Sequence, residues 1–370
     1  MKDISLVKHR LAIIGASSGQ LPLVKKAKEM GIYTVCFAWD KDAVCKNVCD
    51  LFCPISIFET DEIVAKCKEL GINGVTSNAS EETSKVASLI ADKLHLNTTN
   101  PEVIEKIQNK AAVRSLTSEV IGLSVPKVWR EKDIDNIEYP CVVKPVKGSA
   151  KKGVSYCKSP NDLSDAIDYA RSTGNNIIVE EYIDGREYSV EALSFHGKHQ
   201  IVQITDKKTS GYPHFVELEH HQPADISHDL RIKIEEVAID ILMKVGYSDG
   251  ASHIEMKVNK NGIYLIEINP RGGGDRISDT LVGLSTDCDY LSAIIDIALN
   301  RYQFKPIRNI SYCGILFLSY QNNRILKYFD GNDEDWLVEK KRINGQLTVS
   351  SSNYDRDGYI IYKSKNRISL

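Results

Sequence analysis

The 370-residue sequence lacks three features that would each define a class of protein. No apolar run approaches 18 residues, so no helix is expected to span a membrane. Charge of neither sign dominates, because 47 Lys and Arg face 50 Asp and Glu, and neither nucleic acid nor a membrane surface is expected as a partner. The first apolar stretch, at 11–14, is too short for a signal peptide, and a cytoplasmic location is expected.

Cysteine is present without a pattern typical of disulfides or metal clusters. The nine cysteines are odd in number and scattered, which favours reduced thiols in a cytosol. Cys45, Cys49 and Cys53 recur at intervals of four residues, a spacing that matches no iron–sulfur motif. We interpret them as buried apolar residues. A Ser-His-Asp or Cys-His signature is also absent, so no nucleophilic side chain is predicted.

The first hundred residues alternate between strand and helix patterns. Strands are predicted at 10–14, 33–38 and 74–77, and helices at 21–30, 61–70 and 81–94. Strands that alternate with helices of 10–15 residues indicate a parallel sheet with both faces covered. The sequence therefore predicts an α/β domain at the start of the chain.

The pattern changes after Asn100-Pro101. Helices are predicted at 101–109 and 111–121, and from Cys141 onward short strands dominate, with helices at 163–171, 229–245 and 285–299. The tail from about 301 is rich in strand-forming residues. At 370 residues the chain has room for two or three domains, and a mixed α/β and α+β fold is expected.

A predicted hairpin carries the sharpest chemical signal. An Asn-Gly turn joins its strands, because these residues tolerate the positive φ that the turn requires. His253, Glu255 and Lys257 share one face of the first strand, and Glu267 and Asn269 share a face of the second. The turn should bring Glu255 near Glu267, and two carboxylates with an amide oxygen suit Mg²⁺. A charged outer face of a sheet would explain Lys257, but not the acids that interrupt an apolar run.

Segments with glycine and lysine predict phosphate binding. Three glycines at 272–274 follow the acidic strand and let backbone N–H groups converge on an anion. Arg271 precedes them, and its planar guanidinium suits a transferring phosphoryl group. Lys144 ends a predicted strand, and the cationic loop 148–153 suits a triphosphate. A solvated turn between two strands is the alternative for that loop.

Two further segments leave alternatives open. The strand at 177–183 contains acids near its end, and an extended edge with carboxylates suits adenine and ribose. The turn from Gly15 to Gly19, followed by Asp40, lies where a dinucleotide-binding loop would lie. Its middle glycine is missing, so we favour a structural turn or a turn that binds a small ligand.

The order of these parts resembles the ATP-grasp superfamily. The matching positions are, in order, Lys110; Lys144 before Pro145; Gly148, Ser149 and Gly153; Glu180, Glu181, Tyr182 and Ile183; Gly185 and Glu187; His220 before Pro223; Glu255; and Glu267, Asn269 and Arg271. The resemblance covers residues 1 to about 300. It is greatest to the carbamoyl-phosphate-synthase-like and L-amino-acid-ligase branch of carboxylate–amine ligases, although the loop 148–153 has fewer glycines than many members.

The resemblance implies a fold and three domains. Residues 1–100 would form a Rossmann-like pre-ATP-grasp α/β domain. Residues 101–300 would form the ATP-grasp domain, a clamp of two α+β subdomains, with the lid subdomain at about 125–185. Residues 301–370 would form a small β-rich C-terminal cap.

The resemblance also implies a role for each matching residue. The implied ATP-binding residues are Lys110, Lys144, Gly148, Ser149, Gly153, Glu180, Glu181, Tyr182, Ile183, Glu187 and His220, with His221 as an alternative to His220. The implied ligands of Mg²⁺, or of Mn²⁺ in its place, are Glu255, Glu267 and Asn269. Arg271 would be catalytic, and the residues expected at the carboxylate substrate are Gly272, Gly273, Gly274 and Arg276.

The implied activity is ATP-dependent ligation of a carboxylate to an amine through an acylphosphate, with release of ADP and phosphate. The partners would be small molecules. Relatives often dimerise, so a homodimer is possible, but the sequence does not specify the oligomeric state. One alternative is a carboxylase-type relative that activates bicarbonate. Two others belong to different classes: a catalytically silent nucleotide-binding regulatory protein, which the full set of acids and Arg271 argues against, and a nicotinamide-dependent oxidoreductase, which the missing glycine argues against.

Overall fold

The computed structural model describes residues 8–368 except 130–132, 134–135, 148–152, 175, 213, 332–333 and 344. Its first elements are β1 (Arg10–Ile14), α1 (Leu21–Glu29), β2 (Tyr33–Phe37), β3 (Leu51–Cys53), α2 (Thr60–Leu70), β4 (Gly74–Thr76) and α3 (Glu81–Lys93). The strands form a parallel sheet in the order β3-β2-β1-β4. Every residue of β2 is buried, as expected for a strand that helices cover on both faces.

The next elements include the four strands of a small antiparallel sheet. They are α4 (Pro101–Ile107), α5 (Lys110–Leu116), β5 (Leu123–Ser124), β6 (Val128–Trp129), β7 (Cys141–Pro145), β8 (Ser155–Cys157), α6 (Leu163–Thr173) and β9 (Ile177–Glu181). The sheet order is β6-β9-β7-β8, and the apolar face of α6 packs on it through Leu163, Ala166 and Ile167. This sheet lies within the segment where the lid subdomain is expected.

A large sheet occupies the rest of the chain. Its first part contains β10 (Arg186–Phe195), β11 (Lys198–Thr209), β12 (Glu217–Gln222), α7 (His228–Val245), β13 (Gly250–Asn259) and β14 (Gly262–Asn269). The last part contains a π-helix (Ile277–Leu281), α8 (Val282–Ser285), α9 (Tyr290–Ala298), β15 (Tyr312–Leu318), α10 (Lys327–Asp330), β16 (Leu337–Arg342) and β17 (Gly358–Ser364). The sheet order is β16-β17-β15-β12-β11-β10-β13-β14-β5.

The predicted helix at 285–299 is shorter than expected. Its helical part begins at Tyr290, because the side chain of Asp289 accepts a hydrogen bond from the backbone N–H of Ser292 and caps the helix there. Just upstream, Thr286 forms an isolated β-bridge with Asn309. The segment between Ser285 and Tyr290 is therefore extended rather than helical.

The C-terminal strands continue the large sheet. β15 pairs with β12, so the residues expected to form a cap add three strands to the sheet that carries the predicted acidic hairpin. The domain boundaries near residues 100 and 300 stay predictions. Within the described ranges, no helix is both long enough and apolar enough to cross a membrane.

The main core of the large sheet lies under α7. Ile234, Val237 and Ile241 of this helix are buried against Tyr188 of β10 and Ile254 of β13. Residues on the opposite face of β10 and β13 point toward the N-terminal domain. One face of the hairpin is therefore buried under α7, and on the other face Glu267 pairs with Lys110 of α5.

Candidate active site

The predicted hairpin forms, with Lys260 and Asn261 at its turn and a β-bulge between Glu255 and Met256 that was not predicted. Glu255 of β13 lies directly opposite Glu267 of β14, and His253 lies opposite Asn269. Opposite residues of antiparallel strands point to the same face, so the two carboxylates and the amide share one surface. Glu267 also forms an ion pair with Lys110 of α5, with 2.9 Å between Nζ and Oε1.

This donor set fits Mg²⁺. Two carboxylates and an amide oxygen are hard oxygen ligands, and a Mg²⁺ site in a nucleotide enzyme keeps positions for water and phosphate oxygens. In the part of the chain that the structure describes, no three His, Cys, Asp or Glu side chains converge as a metal-binding group. The assignment of Glu255, Glu267 and Asn269 as metal ligands stays a prediction.

A buried lysine that the sequence analysis missed holds the acidic cluster together. Nζ of Lys207 on β11 lies 2.9 Å from Glu255, 3.3 Å from Glu217 and 3.4 Å from Glu187. Burial alone would lower the pKa of Lys207, but Glu217, Glu255 and Glu187 outweigh it and raise that pKa well above its ordinary value. Lys207 therefore carries a fixed positive charge between the predicted ribose-binding and metal-binding glutamates.

The strand pattern contained a signal for Lys207. In the Lys207-Lys208 pair the side chains alternate, so one lysine had to face the core side of the sheet. The side chain of Lys207 is 4% exposed and that of Lys208 is 58% exposed. A lysine at an inward position of a strand that borders acidic strands is typical of a functional or ion-paired site.

A second buried ion cluster surrounds Glu180. Its carboxylate lies 2.5 Å from Nζ of Lys144 and 2.9 Å from Nε of Arg114. Burial alone would raise the pKa of Glu180, but Lys144 and Arg114 lower it to about 2, while burial lowers the pKa of Lys144. The predicted role of Glu180 concerned only its backbone, whereas its side chain fixes Lys144, and Arg114 was not predicted.

The predicted adenine segment follows Glu180. Lys257 Nζ donates a hydrogen bond of 3.2 Å to the backbone carbonyl of Ile183, and the same ammonium lies 5.1 Å from the ring centroid of Tyr182. Tyr182 also contacts Tyr156 of β8, with 4.6 Å between ring centroids. The carboxylate of Glu181 accepts a hydrogen bond from the backbone N–H of Lys127. These contacts join the small sheet to the large one beside the predicted ribose ligand.

The glycine loop, residues 272–274, is closely packed against its neighbours. The N–H of Gly272 donates to Oδ1 of Asn78, and the N–H of Gly273 donates to Oε2 of Glu191, each at 2.8 Å. A Cβ atom at Gly272 would lie 2.6 Å from the side chain of Ser278, so only glycine fits. Both N–H groups therefore have protein partners, and of the three predicted glycines only Gly274 has open space around its Cα.

Arg271 retains an unused donor. Its Nη1 donates to the backbone carbonyl of Gly272 at 2.9 Å, while its Nε is buried and has no hydrogen-bond partner among the described groups. Buried donors without partners are rare in native proteins. An orphaned guanidinium donor next to the acidic hairpin fits an anionic substrate group.

The end of the glycine loop is held from two sides. Asp275 accepts two hydrogen bonds from Arg356, at 2.8 and 2.7 Å, and lies 3.5 Å from Nε2 of His220. His221 instead contacts Glu219 and Tyr362. Of the two histidines, His220 is therefore the one next to the loop.

Arg276 is fully engaged by protein groups. Its guanidinium donates to both carboxylate oxygens of Glu339, at 3.1 and 3.2 Å, and to the hydroxyl groups of Tyr359 and Thr280. Its backbone is left-handed, with φ of 67°. The side chain expected to face substrate thus ties the glycine loop to β16 and β17.

Glu81, at the start of α3, brings a carboxylate from the N-terminal domain. Burial and the nearby charge of Glu267 raise its pKa to about 7, against the opposing effect of Arg271 and Lys110. A site role for Glu81 was not predicted, because nothing in the helix pattern distinguishes it from the adjacent Glu82.

The predicted lid loop, 148–153, lies only partly within the described residues. Gly148 and Ser149 lie outside the described residues. Gly153 has φ of +76°, and a Cβ atom there would lie 2.1 Å from the hydroxyl of Thr173, so glycine is required at this position. Its predicted contact with phosphate stays a prediction.

Comparison with known proteins identifies the class. Residues 137–279 match the family model of the ATP-grasp domain, so the chain contains an ATP-grasp domain. The crystal structure of an L-amino acid ligase from Bacillus licheniformis superposes with a TM-score of 0.81 at 22% identity, covering 97% of this chain and 94% of that one. The predicted fold class is thereby confirmed.

Two curated relatives extend the match along the sequence. The uncharacterized protein y4rH of Sinorhizobium fredii is 26% identical over 333 residues, covering 84% of this chain and 68% of that protein. A formate-dependent phosphoribosylglycinamide formyltransferase of Erythrobacter litoralis is 25% identical over 283 residues, 71% of each chain. The similarity therefore extends well beyond the matched domain.

Proposed function

We propose that this protein is an ATP-dependent ligase that joins a small-molecule carboxylate to an amine. The main support is the acidic hairpin, in which Glu255 and Glu267 lie opposite each other next to Arg271 and its orphaned Nε. Two acids for a divalent cation beside a cationic group for an anion suit phosphoryl transfer from a nucleotide to an acid. The similarity to a formate-dependent formyltransferase, whose name specifies a carboxylate substrate, agrees with this.

The residues present fit ATP and Mg²⁺. Glu255, Glu267 and Asn269 would hold Mg²⁺, which would neutralise charge on the β- and γ-phosphate oxygens when bound. Lys110 and Lys144 would face the phosphates. The backbone from Glu180 to Ile183 would face adenine, with Glu187 at the ribose hydroxyls, as the ATP-grasp resemblance implies.

The reaction would proceed in two steps. A carboxylate oxygen of the substrate attacks the γ-phosphorus, the bond from that phosphorus to ADP breaks, and an acylphosphate forms. The amine nitrogen then attacks the acyl carbon, the carbon–oxygen bond to phosphate breaks, and the amine loses a proton. Arg271 would stabilise the phosphoryl oxygens during the first step, since a preorganised cation lowers the energy of developing charge. No nucleophilic side chain is needed.

The test is a screen of paired carboxylic acids and amines with Mg-ATP, in which ADP release is measured. Wild-type protein should release ADP only when a suitable acid and amine are both present. Glu267→Ala should abolish that release, because it removes a predicted metal ligand and the partner of Lys110. Glu119→Ala is the matched control, since Glu119 forms only an exposed pair with Lys244.

Three results would contradict the proposal. Near-normal turnover by Glu267→Ala would show that the hairpin does not take part in the reaction. ADP release that requires bicarbonate but no other acid would favour a carboxylase. Binding of nicotinamide nucleotides without ATP would place the protein in another class. A cytoplasmic location remains an expectation, and this screen addresses neither it nor the oligomeric state.

A further inference from the structure

A buried carboxylate lies directly behind the acidic hairpin. Glu191 of β10 is completely buried, and its Oε2 accepts the 2.8 Å hydrogen bond from the N–H of Gly273. Its Oε1 pairs with Nδ1 of His253 on the neighbouring strand β13. Glu191 therefore links the glycine loop to the strand that carries Glu255.

His253 continues this chain of contacts. The residue is 4% exposed, and its Nε2 lies 3.2 Å from Oε1 of Glu255, the proposed metal ligand. The imidazole thus lies between two carboxylates, with one ring nitrogen toward each. Starting from the glycine loop, the contacts run through Glu191 and His253 to Glu255 without a solvent-exposed gap.

The loop backbone is fitted to this pair. A Cβ atom at Gly273 would lie 2.8 Å from both Oε1 of Glu191 and Nδ1 of His253. Real Cβ atoms do not approach so closely, so the pair occupies the space that any side chain at position 273 would need. The position of the loop and the orientation of His253 are consequently fixed by the same carboxylate.

Burying a carboxylate and an imidazole is unfavourable unless each polar atom has a partner. An apolar pair of similar volume would stabilise a purely structural core at least as well. Residues behind a metal ligand commonly orient it through hydrogen bonds of this kind, and their loss typically lowers metal affinity about 10- to 100-fold.

We propose that Glu191 and His253 are positioning residues that hold Glu255 in its metal-binding orientation and fix the Gly273 loop beside it, an inference that rests on the function proposed above. Neither residue is placed in contact with nucleotide or metal. They act through Glu255 on one side and through the loop backbone on the other. Metal binding and the position of the loop are thereby coupled.

The test measures Mn²⁺ binding to the complex of full-length protein with ADP, by electron paramagnetic resonance. Glu191→Gln keeps an acceptor for the Gly273 N–H but loses the charge that faces His253. His253→Asn keeps an amide near the position of Nδ1 but is too short to reach Glu255, so it breaks that contact. Each variant should bind Mn²⁺ about 10- to 100-fold more weakly. The double variant should bind Mn²⁺ no more weakly than the single variant with the lower affinity, because both changes break one chain of contacts.

Ser194→Ala is the matched control. Ser194 lies on the same strand, is fully buried, and its hydroxyl forms a 2.8 Å hydrogen bond with His199 away from the hairpin. Its loss should leave Mn²⁺ affinity within about twofold of wild type. Kinetics supply a second readout: with any active substrate pair, the Mg²⁺ concentration that gives half-maximal rate should rise in Glu191→Gln and stay unchanged in Ser194→Ala.

The outcomes separate this inference from the proposed function. If wild-type protein with ADP binds no Mn²⁺, the proposed function fails. If wild type binds Mn²⁺ and both variants match it, the function stands and the positioning role is wrong. Circular dichroism checks folding. If Glu191→Gln does not fold, His253→Asn and Gly273→Ala decide the question, since an added Cβ at position 273 should displace the same pair.

Discussion

Lys207 offers a direct measure of how the acidic cluster is held together. Its ammonium lies within 3.4 Å of Glu187, Glu217 and Glu255, and its side chain is 4% exposed. Lys207→Met removes the charge and keeps most of the apolar volume. Removing one member of a buried ion pair costs about 3–5 kcal/mol of unfolding free energy, because the remaining charge is left without compensation. We expect a loss in that range.

The neighbouring lysine is a matched control. Lys208 forms a pair with Glu219 at 3.0 Å, but its side chain is 58% exposed. Exposed pairs contribute about 0–1 kcal/mol. Lys208→Met should therefore change the unfolding free energy by at most about 1 kcal/mol. Urea unfolding followed by circular dichroism, at one temperature and salt concentration, measures both variants.

The loss in Lys207→Met should also depend on pH. Lys207 is the main group that lowers the pKa of Glu255, against burial, which raises it. Without the lysine, the pKa of the buried carboxyl rises and the folded variant takes up protons that wild type does not, so its deficit should shrink as the pH falls from 8 to 5. Equal losses in the two lysine variants, or a deficit that grows at low pH, would refute the reasoning.

Two further predictions concern buried carboxylates. Glu180→Gln removes the carboxylate that pairs with Lys144 and Arg114, and it should lower the unfolding free energy measured in urea by about 3–5 kcal/mol. Glu138→Gln breaks an exposed pair and should lower it by at most about 1 kcal/mol. Similar losses in the two variants would contradict the burial argument. The folded-state pKa of Glu81 is raised from 4.5 to about 7, so the folded protein binds more protons than the unfolded chain in that window. Its stability should therefore fall by at most about 3 kcal/mol as the pH rises through it. Glu81→Gln should remove this loss of stability with rising pH, whereas the exposed Glu82→Gln should keep it. Urea unfolding midpoints from pH 5 to 8 measure both variants. If stability still falls in Glu81→Gln, another group causes the pH dependence.

Much of the fold could be predicted because its elements have clear local patterns. The alternation of strand and helix before residue 100 identified a parallel sheet, and β1, α2 and α3 lie close to their predicted bounds. The short strand β3 (Leu51–Cys53) was missed because no predicted helix precedes it, whereas β4 (Gly74–Thr76), which is equally short, follows the end of a predicted helix. The pairing of β15 with β12 could not be predicted either, since strand patterns do not specify which distant strands become neighbours.

The site was predictable where its geometry is local. The Asn-Gly signal predicted the hairpin itself, but the register of the turn alone would put Glu255 opposite Ile266. A β-bulge between Glu255 and Met256 shifts the pairing by one residue and brings Glu255 opposite Glu267, and the sequence pattern did not show that bulge. Arg114 was missed because its partner Glu180 lies 66 positions away. Glu191 was missed for a similar reason, since its contacts come from a distant loop and an adjacent strand. Such long-range pairs depend on tertiary packing, which no local pattern encodes.

The bond between Asp275 and Arg356 spans 81 positions of the chain. During synthesis on the ribosome, the glycine loop therefore emerges long before the arginine that holds its end. Until β15 arrives, the edge of β12 also remains open to other strands, a state prone to aggregation. A nascent chain consequently cannot hold the end of the glycine loop through this ion pair until Arg356 has been synthesised.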